Sequence, residues 1–370
     1  MDNKNFKFPR LISLDVLRGI IVALMIIVNS PGKQPSYTWI EHSPWNGCTL
    51  ADAIFPMFIF IVGVSSVFQL SILREKLPVN LLIVKIFKRS LILFAIGLLL
   101  NAFPNHFDLS TLRFYGVLQR IAVCYFFAAC LFLTTSIRTQ FIIFILILIS
   151  YWLINTGFPG YSGPNLTAEF NIPAQVDRTL FSSAHLYGKY FDPEGLLSTF
   201  SSFATALLGN LAGFLLLSYC NERQKFYGLI VAGFLSMLLG WLWSFYFPIN
   251  KTLWTSSYVL WTGGISLLAL AGCYWLIEIR KLKAWSYPFR IFGITALLVY
   301  VLHIVFLKIQ VLIQISYHGT QSNLKTFITD SLFNKFSAQN ASLSYAICYM
   351  LFWLLCCKLL FKKARSLKKY

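Results

Sequence analysis

Apolar runs of about 20 residues recur along the whole chain, each long enough to cross ~30 Å of hydrocarbon as a helix. Inside a bilayer every backbone polar group must be satisfied within the segment, so runs of this kind are helical. Ten are readable, at about 13–30, 50–72, 88–103, 115–134, 140–157, 197–218, 226–246, 258–277, 290–314 and 343–361. Only 12% of residues are charged, against about 25% in a soluble domain, which excludes a soluble globular protein. The expected fold class is all-α: a polytopic membrane protein, one bundle of about ten transmembrane helices over residues 1–370.

The net charge is +18, a value that in a soluble chain would suggest nucleic acid. Here the basic residues sit in short segments between spans, so that partner is rejected in favour of a lipid bilayer. With both ends inside, roughly 20 of the 31 basic residues fall on the cytoplasmic side and about 8 outside. Residues 1–11 (Lys4, Lys7, Arg10) and the tail 362–370 are then cytoplasmic. His42, the loop holding His106 and Asp108, and a long polar loop at about 158–196 are external. Asp15 and Arg18 interrupt the first apolar run, which reads as a retained span and not a cleaved leader. Cysteines such as Cys124, Cys130 and Cys273 lie in spans as small hydrophobes, and no metal-ligand or disulfide spacing is present. No internal repeat and no span broken at mid-depth is visible, which argues against a transporter of sugars or small anions.

Polar residues in or beside the spans are costly there unless paired or functional. Asp15 and Arg18 are three apart, on one helical face. They form an internal ion pair, or Arg18 meets the phosphates of a nucleotide-like cofactor, with Gly19 letting that group approach the backbone. Asn29 closes the first span. His42 and Asp52 bracket the stretch His42-Ser43-Pro44-Trp45-Asn46-Gly47-Cys48-Thr49, and an acid in a first helical turn also suits the helix dipole. Arg120, expected a turn and a half into the fourth span, needs a carboxylate or carbonyl partner, or a ligand. His303, in the ninth span, is bonded to a neighbouring helix or lines a cavity. Asp177-Arg178, His185 and Asp192-Pro193-Glu194-Gly195 resemble a polar cup for a hydroxylated substrate.

Together these motifs resemble the heparan-α-glucosaminide N-acetyltransferase family. The resemblance runs through Asp15-Val16-Leu17-Arg18-Gly19, Asn29, and His42-Ser43-Pro44-Trp45-Asn46-Gly47 with Thr49, Asp52 and Pro56. It continues through Gly116-Val117-Leu118-Gln119-Arg120, Gly160-Tyr161-Ser162-Gly163-Pro164 and Asp192-Pro193-Glu194-Gly195. It ends with Pro248-Ile249-Asn250-Lys251-Thr252-Leu253-Trp254 and Tyr300-Val301-Leu302-His303. The chain differs from the lysosomal members in lacking a large luminal N-terminal region and in having Cys48 where an aliphatic residue is usual, so it resembles short bacterial members.

The resemblance implies an acyltransferase in a bacterial inner membrane that moves an acetyl group from cytosolic acetyl-CoA to an amino sugar outside, without a metal. It implies His42 as the catalytic residue, with Asn29 assisting and Asp52 orienting the imidazole or holding the acceptor. Arg18, Arg120 and His303 are assigned to the cofactor, and Trp45, Asn46, Asp192 and Glu194 to the acceptor. A homodimer is a further expectation. An O-acyltransferase of a surface glycan is the alternative within the class.

Overall fold

The computed structural model describes residues 11–104, 107–157, 165–317 and 320–367; side chains are not described at 317, 320 and 361–367. His106 and the Gly160–Pro164 motif therefore lie outside the described residues, as do Lys4, Lys7 and Arg10. The chain divides into two compact units that interleave in sequence: Pro44–Cys48 with Phe55–Gly272, and Ile12–Ser43 with Thr49–Ile54 and Cys273 onward.

Among the described residues eight helices are long and apolar enough to cross a membrane, and a ninth span results if a bent pair is taken as one. They are α1 (Ile12–Asn29), α2 (Leu50–Arg74), α4 (Val117–Thr134), α5 (Ile137–Gly157), α7 (Leu196–Leu217), α8 (Glu222–Trp243), α9 (Ser256–Tyr274, continued by a π-turn Trp275–Ile279) and α13 (Ala338–Leu367). The bent pair is α10 (Tyr287–Ile294) and α11 (Ala296–Leu312). The span expected at about 88–103 is α3 (Val79–Ala102), 24 residues long, which starts about nine residues earlier and so carries Lys85, Lys88 and Arg89 in its first half, where a turn was expected. The all-α polytopic fold is thus observed.

Three features depart from the sequence reading. The expected span at 290–314 is broken, with a 71° bend at Thr295; no proline marks the break, which explains why hydropathy passed over it. The loop at 158–196, expected to be irregular, holds a helix, α6 (Ile172–Leu180), capped by Asn171, whose side chain accepts from Ala174 N at 2.8 Å. The loop after α11 holds an antiparallel hairpin, β1 (Gln314–Tyr317) with β2 (Thr320–Asn323), and helix α12 (Leu324–Phe333).

In the first unit α7 is the helix on which the others pack. Its polar face (Ser198, Thr199, Ser201, Ser202, Thr205 and Asn210) is buried and spent on neighbours. Asn210 Nδ2 donates to Ala128 O and Gln140 Oε1, Ser201 Oγ donates to Trp254 O, and Thr205 Oγ1 accepts from Trp254 Nε1. Interhelical bonds of this kind replace the hydrophobic drive that is absent between helices in lipid. Contact between α2 and α7 is backbone to backbone: a Cβ on Gly63 would lie 2.1 Å from Ala206 O, and one on Gly209 2.1 Å from Phe60 O. Apolar side chains on α5 and α8, among them Phe141, Leu146, Val231 and Phe234, are turned outward, as lipid-facing residues are.

In the second unit α1 crosses α10 just as closely. A Cβ on Gly19 would lie 1.7 Å from Phe289 O, and one on Gly293 1.8 Å from Asp15 O. Gly19 therefore admits a helix backbone where the sequence reading offered it to a ligand. The N-terminus of α1 is closed by Glu278, whose Oε1 accepts from Ser13 N at 3.0 Å.

These close approaches give a paired test. Gly63→Val or Gly209→Val is expected to lower thermal stability by more than about 1–3 kcal/mol, because backbone atoms cannot make way. Gly272→Ala, with nothing within 4 Å of the added methyl, is expected to be neutral or slightly stabilising. Melting of the three variants in the same detergent separates the outcomes.

Candidate active site

Thr49 is the N-cap of α2 and Asp52 its third helical residue, the spacing of a capping box. Both halves of the box form: Asp52 Oδ2 accepts from Thr49 N at 3.0 Å, and Thr49 Oγ1 accepts from Asp52 N at 3.4 Å. The same Oδ2 accepts from Ser43 N at 3.0 Å, which ties the preceding loop to the helix end. The other oxygen, Oδ1, lies 2.8 Å from His42 Nδ1. Asp52 is 1% exposed, whereas the His42 side chain is 52% exposed. Asp52 thus spends one oxygen on the helix start and the loop before it, and the other on the imidazole. Asn29, in the same unit, is exposed at the last position of α1.

Arg18 makes the internal pair expected for it, 3.3 Å from Asp15 Oδ1, and also donates to Gly293 O at 3.2 Å. That carbonyl lies beside the break at Thr295, where helical partners run out, so Arg18 serves the broken span. His303 is fully buried in α11; its Nδ1 bonds Val299 O of its own helix at 3.0 Å, not a neighbouring helix. Its Nε2 has no partner among the described residues.

In the first unit the segment Trp45-Asn46-Gly47 is pinned to two loops. Gly47 N donates to Ile249 O at 2.7 Å, with φ 113° at Gly47, a conformation that favours glycine. Asn46 Oδ1 accepts from Asn250 Nδ2 at 3.1 Å, while Trp45 Nε1 donates to Leu166 O at 2.9 Å and its ring meets Phe191 edge-on. Trp45 is half-buried and Asn46 exposed. The sequence blocks at 45–47 and 248–254 thus belong to one joint.

Arg120 lies in the first turn of α4, less deep than the sequence suggested, and is 1% exposed. It donates to Thr199 Oγ1 at 3.2 Å, to Gly195 O at 3.3 Å and to Ser198 Oγ, and its guanidinium lies 4.8 Å from the Trp254 ring centroid. Nη1 has no partner among the described residues.

Asp192 and Glu194 meet a residue that the sequence reading missed. Arg113 Nε and Nη2 grip Asp192 at 2.7 and 2.6 Å, and Nη2 also donates to Glu194 Oε2. Its guanidinium stands over the exposed Tyr187 ring, 4.9 Å from the centroid. Burial alone would lower the Arg113 pKa, but the two carboxylates outweigh it and hold that pKa above the ordinary arginine value. Asp192 also accepts from Tyr187 N and Glu194 N, both at 2.9 Å, so its oxygens are committed to shaping the loop. A single arginine in the short polar segment before Gly116 was the available signal. Its partners lie 79 and 81 residues away, beyond the reach of pattern reading.

Gly195 completes this corner, since a Cβ there would lie 1.8 Å from Asp177 Oδ2. Asp177 Oδ1 accepts from Leu196 N at 2.9 Å, closing the N-terminus of α7. Burial pushes the Asp177 carboxyl up to about 6; the Leu196 N–H works against that rise and the Asp192 charge adds to it.

The structure defines a multi-pass helical membrane protein that presents an exposed histidine on a buried aspartate and a salt-bridged loop before α7. Residues 10–227 match the family described as heparan-alpha-glucosaminide N-acetyltransferase, catalytic. The chain is 33% identical over 358 residues to heparan-alpha-glucosaminide N-acetyltransferase from Homo sapiens, and 32% identical over 353 residues to the Mus musculus protein of that name. Each alignment covers 80% of this chain and 53% of the relative, so the chain spans about half the length of these curated relatives. It belongs to this family.

The raised Asp177 carboxyl makes stability pH-dependent. An unfolded aspartate titrates near 3.9, so between about 4 and about 6 the folded state holds the extra proton. This group's contribution to stability therefore declines as pH rises through that window and is level above it. Asp177→Asn, which can still accept from Leu196 N, is expected to flatten that part of the melting-temperature profile, an effect on the order of 2 kcal/mol. A variant whose profile overlays the wild type's would contradict the assignment.

Proposed function

We propose that this chain transfers an acetyl group from cytosolic acetyl-CoA to the amino group of a glucosamine-type sugar on the external side of the membrane. The observation that carries the reading is the His42–Asp52 pair, 2.8 Å apart, in a chain whose human and mouse relatives are named heparan-alpha-glucosaminide N-acetyltransferase. The basic residues between spans support cytosolic termini and an external His42.

An ammonium has no lone pair, so the acceptor reacts as the neutral amine, losing one proton to solvent before the attack and a second as its nitrogen bonds to the thioester carbonyl. With Nδ1–H donated to Asp52, the imidazole lone pair is on Nε2, the nitrogen that takes up that proton. The amine nitrogen bonds to the carbonyl carbon, the C–S bond breaks, and coenzyme A leaves as the thiolate. The Asp52 charge stabilises the imidazolium formed. The same Nε2 is the nucleophile of a two-step route through acetyl-histidine. An oxyanion develops in either route, and the Asn29 amide is our choice of donor to it, a role worth about 3–4 kcal/mol.

On the acceptor side, Trp45 and the exposed Tyr187 offer aromatic faces to a sugar, with Asn46 and Glu194 as polar contacts and Asp192 holding the loop in shape. On the donor side, Arg120 Nη1 and His303 Nε2 are buried nitrogens without partners among the described residues, a state that a polar ligand group relieves. Arg18 is assigned to the donor with less structural support, since Asp15 and Gly293 O already occupy it.

Coenzyme A release by the purified protein, with and without glucosamine, tests the reading. Wild type is expected to release it together with N-acetylglucosamine, and His42→Ala to lose roughly 100- to 10,000-fold in kcat. Asp52→Asn is expected to lower kcat while leaving KM for acetyl-CoA near the wild-type value. A His42→Ala variant of unchanged activity, or no turnover of any amino sugar by wild type, would overturn the proposal.

A further inference from the structure

Helix α3 holds a group of cations that the acetyl-transfer reading does not use. Lys85, Lys88 and Arg89 stand at i, i+3 and i+4, hence on one helical face, and all three are exposed. Around them Val84, Phe87, Leu91 and Ile92 are exposed as well, so the cations are set within an apolar, lipid-directed surface.

Their depth is unusual. From Ser90 to the helix end at Ala102 the uncharged part is about 20 Å long at 1.5 Å per residue, short of ~30 Å of hydrocarbon. Arg89 Nη1 donates to Gln69 Oε1 at 2.9 Å, and Gln69 lies more than a turn inside the end of α2 at Arg74. The guanidinium also stands 5.1 Å from the Tyr125 ring centroid. Behind the cations Val67, Leu70, Leu82, Ile86, Tyr125 and Phe132 pack as one apolar cluster, so the inward partners, Gln69 and the Tyr125 ring, are uncharged and serve Arg89. An anion drawn to the membrane surface would offset the cost of cations held at this level.

We propose that this face of α3 binds the headgroup of an anionic phospholipid, its phosphate between Lys85, Lys88 and Arg89 and its acyl chains along Phe87, Leu91 and Ile92. Lipid fits better than a water-borne phosphate compound, because the apolar surround is matched by acyl chains and wasted on a polar molecule. The site is independent of the acetyl-transfer reading.

The test uses full-length protein exchanged into phosphatidylcholine vesicles with or without about one part in four phosphatidylglycerol, followed by native mass spectrometry of retained lipid. Wild type is expected to retain phosphatidylglycerol over phosphatidylcholine by on the order of tenfold. Lys85→Gln/Lys88→Gln, which leaves the Arg89–Gln69 bond in place, is expected to lose most of that preference, and Lys85→Arg/Lys88→Arg to keep it. Equal retention of the two lipids by wild type would overturn the proposal. So would an undiminished preference in the glutamine variant, or displacement of phosphatidylglycerol by coenzyme A, which would make the face a nucleotide site.

Discussion

The Asp52 carboxylate is the interaction on which the candidate chemistry depends. It is buried at the first turn of α2, and its two oxygens have separate duties. One oxygen accepts N–H groups from Thr49 and Ser43, fixing where the helix starts and how the loop enters it. The other meets His42. A charge buried next to lipid is sustainable only with such a set of donors. Because the helix start depends on the same group, the imidazole's support is rigid: His42 cannot lose its orienting partner without the helix losing its cap.

A similar economy governs the loop before α7. Arg113, Asp192 and Glu194 form a buried ion cluster, and removing one member of such a cluster leaves uncompensated charge. Its structural effect is to fix the chain just before α7, where Gly195 passes against Asp177 and where Ser198 and Thr199 hold Arg120. The stretch Asp192-Pro193-Glu194-Gly195 thus shapes the path from loop to helix, with Glu194 buried against Arg113 and the Tyr187 ring left exposed. Asp192, nominated from sequence as an acceptor contact, is proposed above to act through that shape.

Much of this was legible in the sequence, and the limits follow from physics. The span positions were readable because hydropathy acts locally. The Asp15–Arg18 pair was readable because it lies within one helical turn. Asp52 was readable in a first helical turn because an acid there suits the helix dipole, whereas its pairing with Thr49 in a capping box emerged from the structure. By contrast, the role of Gly19 depends on Phe289, and that of Arg113 on residues about 80 positions away. The bend at Thr295 has no proline, and the carbonyl it strands is met by an arginine from α1. Helix α6 did carry a start signal in Asn171 with Pro173, which a window tuned to membrane spans passes over. Contacts between distant segments decide such cases, and one sequence does not display them.

The central claim is that Asp52 fixes the His42 imidazole with its proton on Nδ1 and its lone pair on Nε2. Nitrogen-15 NMR of protein labelled only at its five histidines, with His42→Ala to identify the signal, reads this directly. Above the pH at which the imidazole is neutral, the account expects a protonated Nδ1 and an unprotonated Nε2 at His42, and loss of that tautomer bias in Asp52→Asn. A neutral His42 with its proton on Nε2, or a tautomer balance indifferent to Asp52, would contradict it.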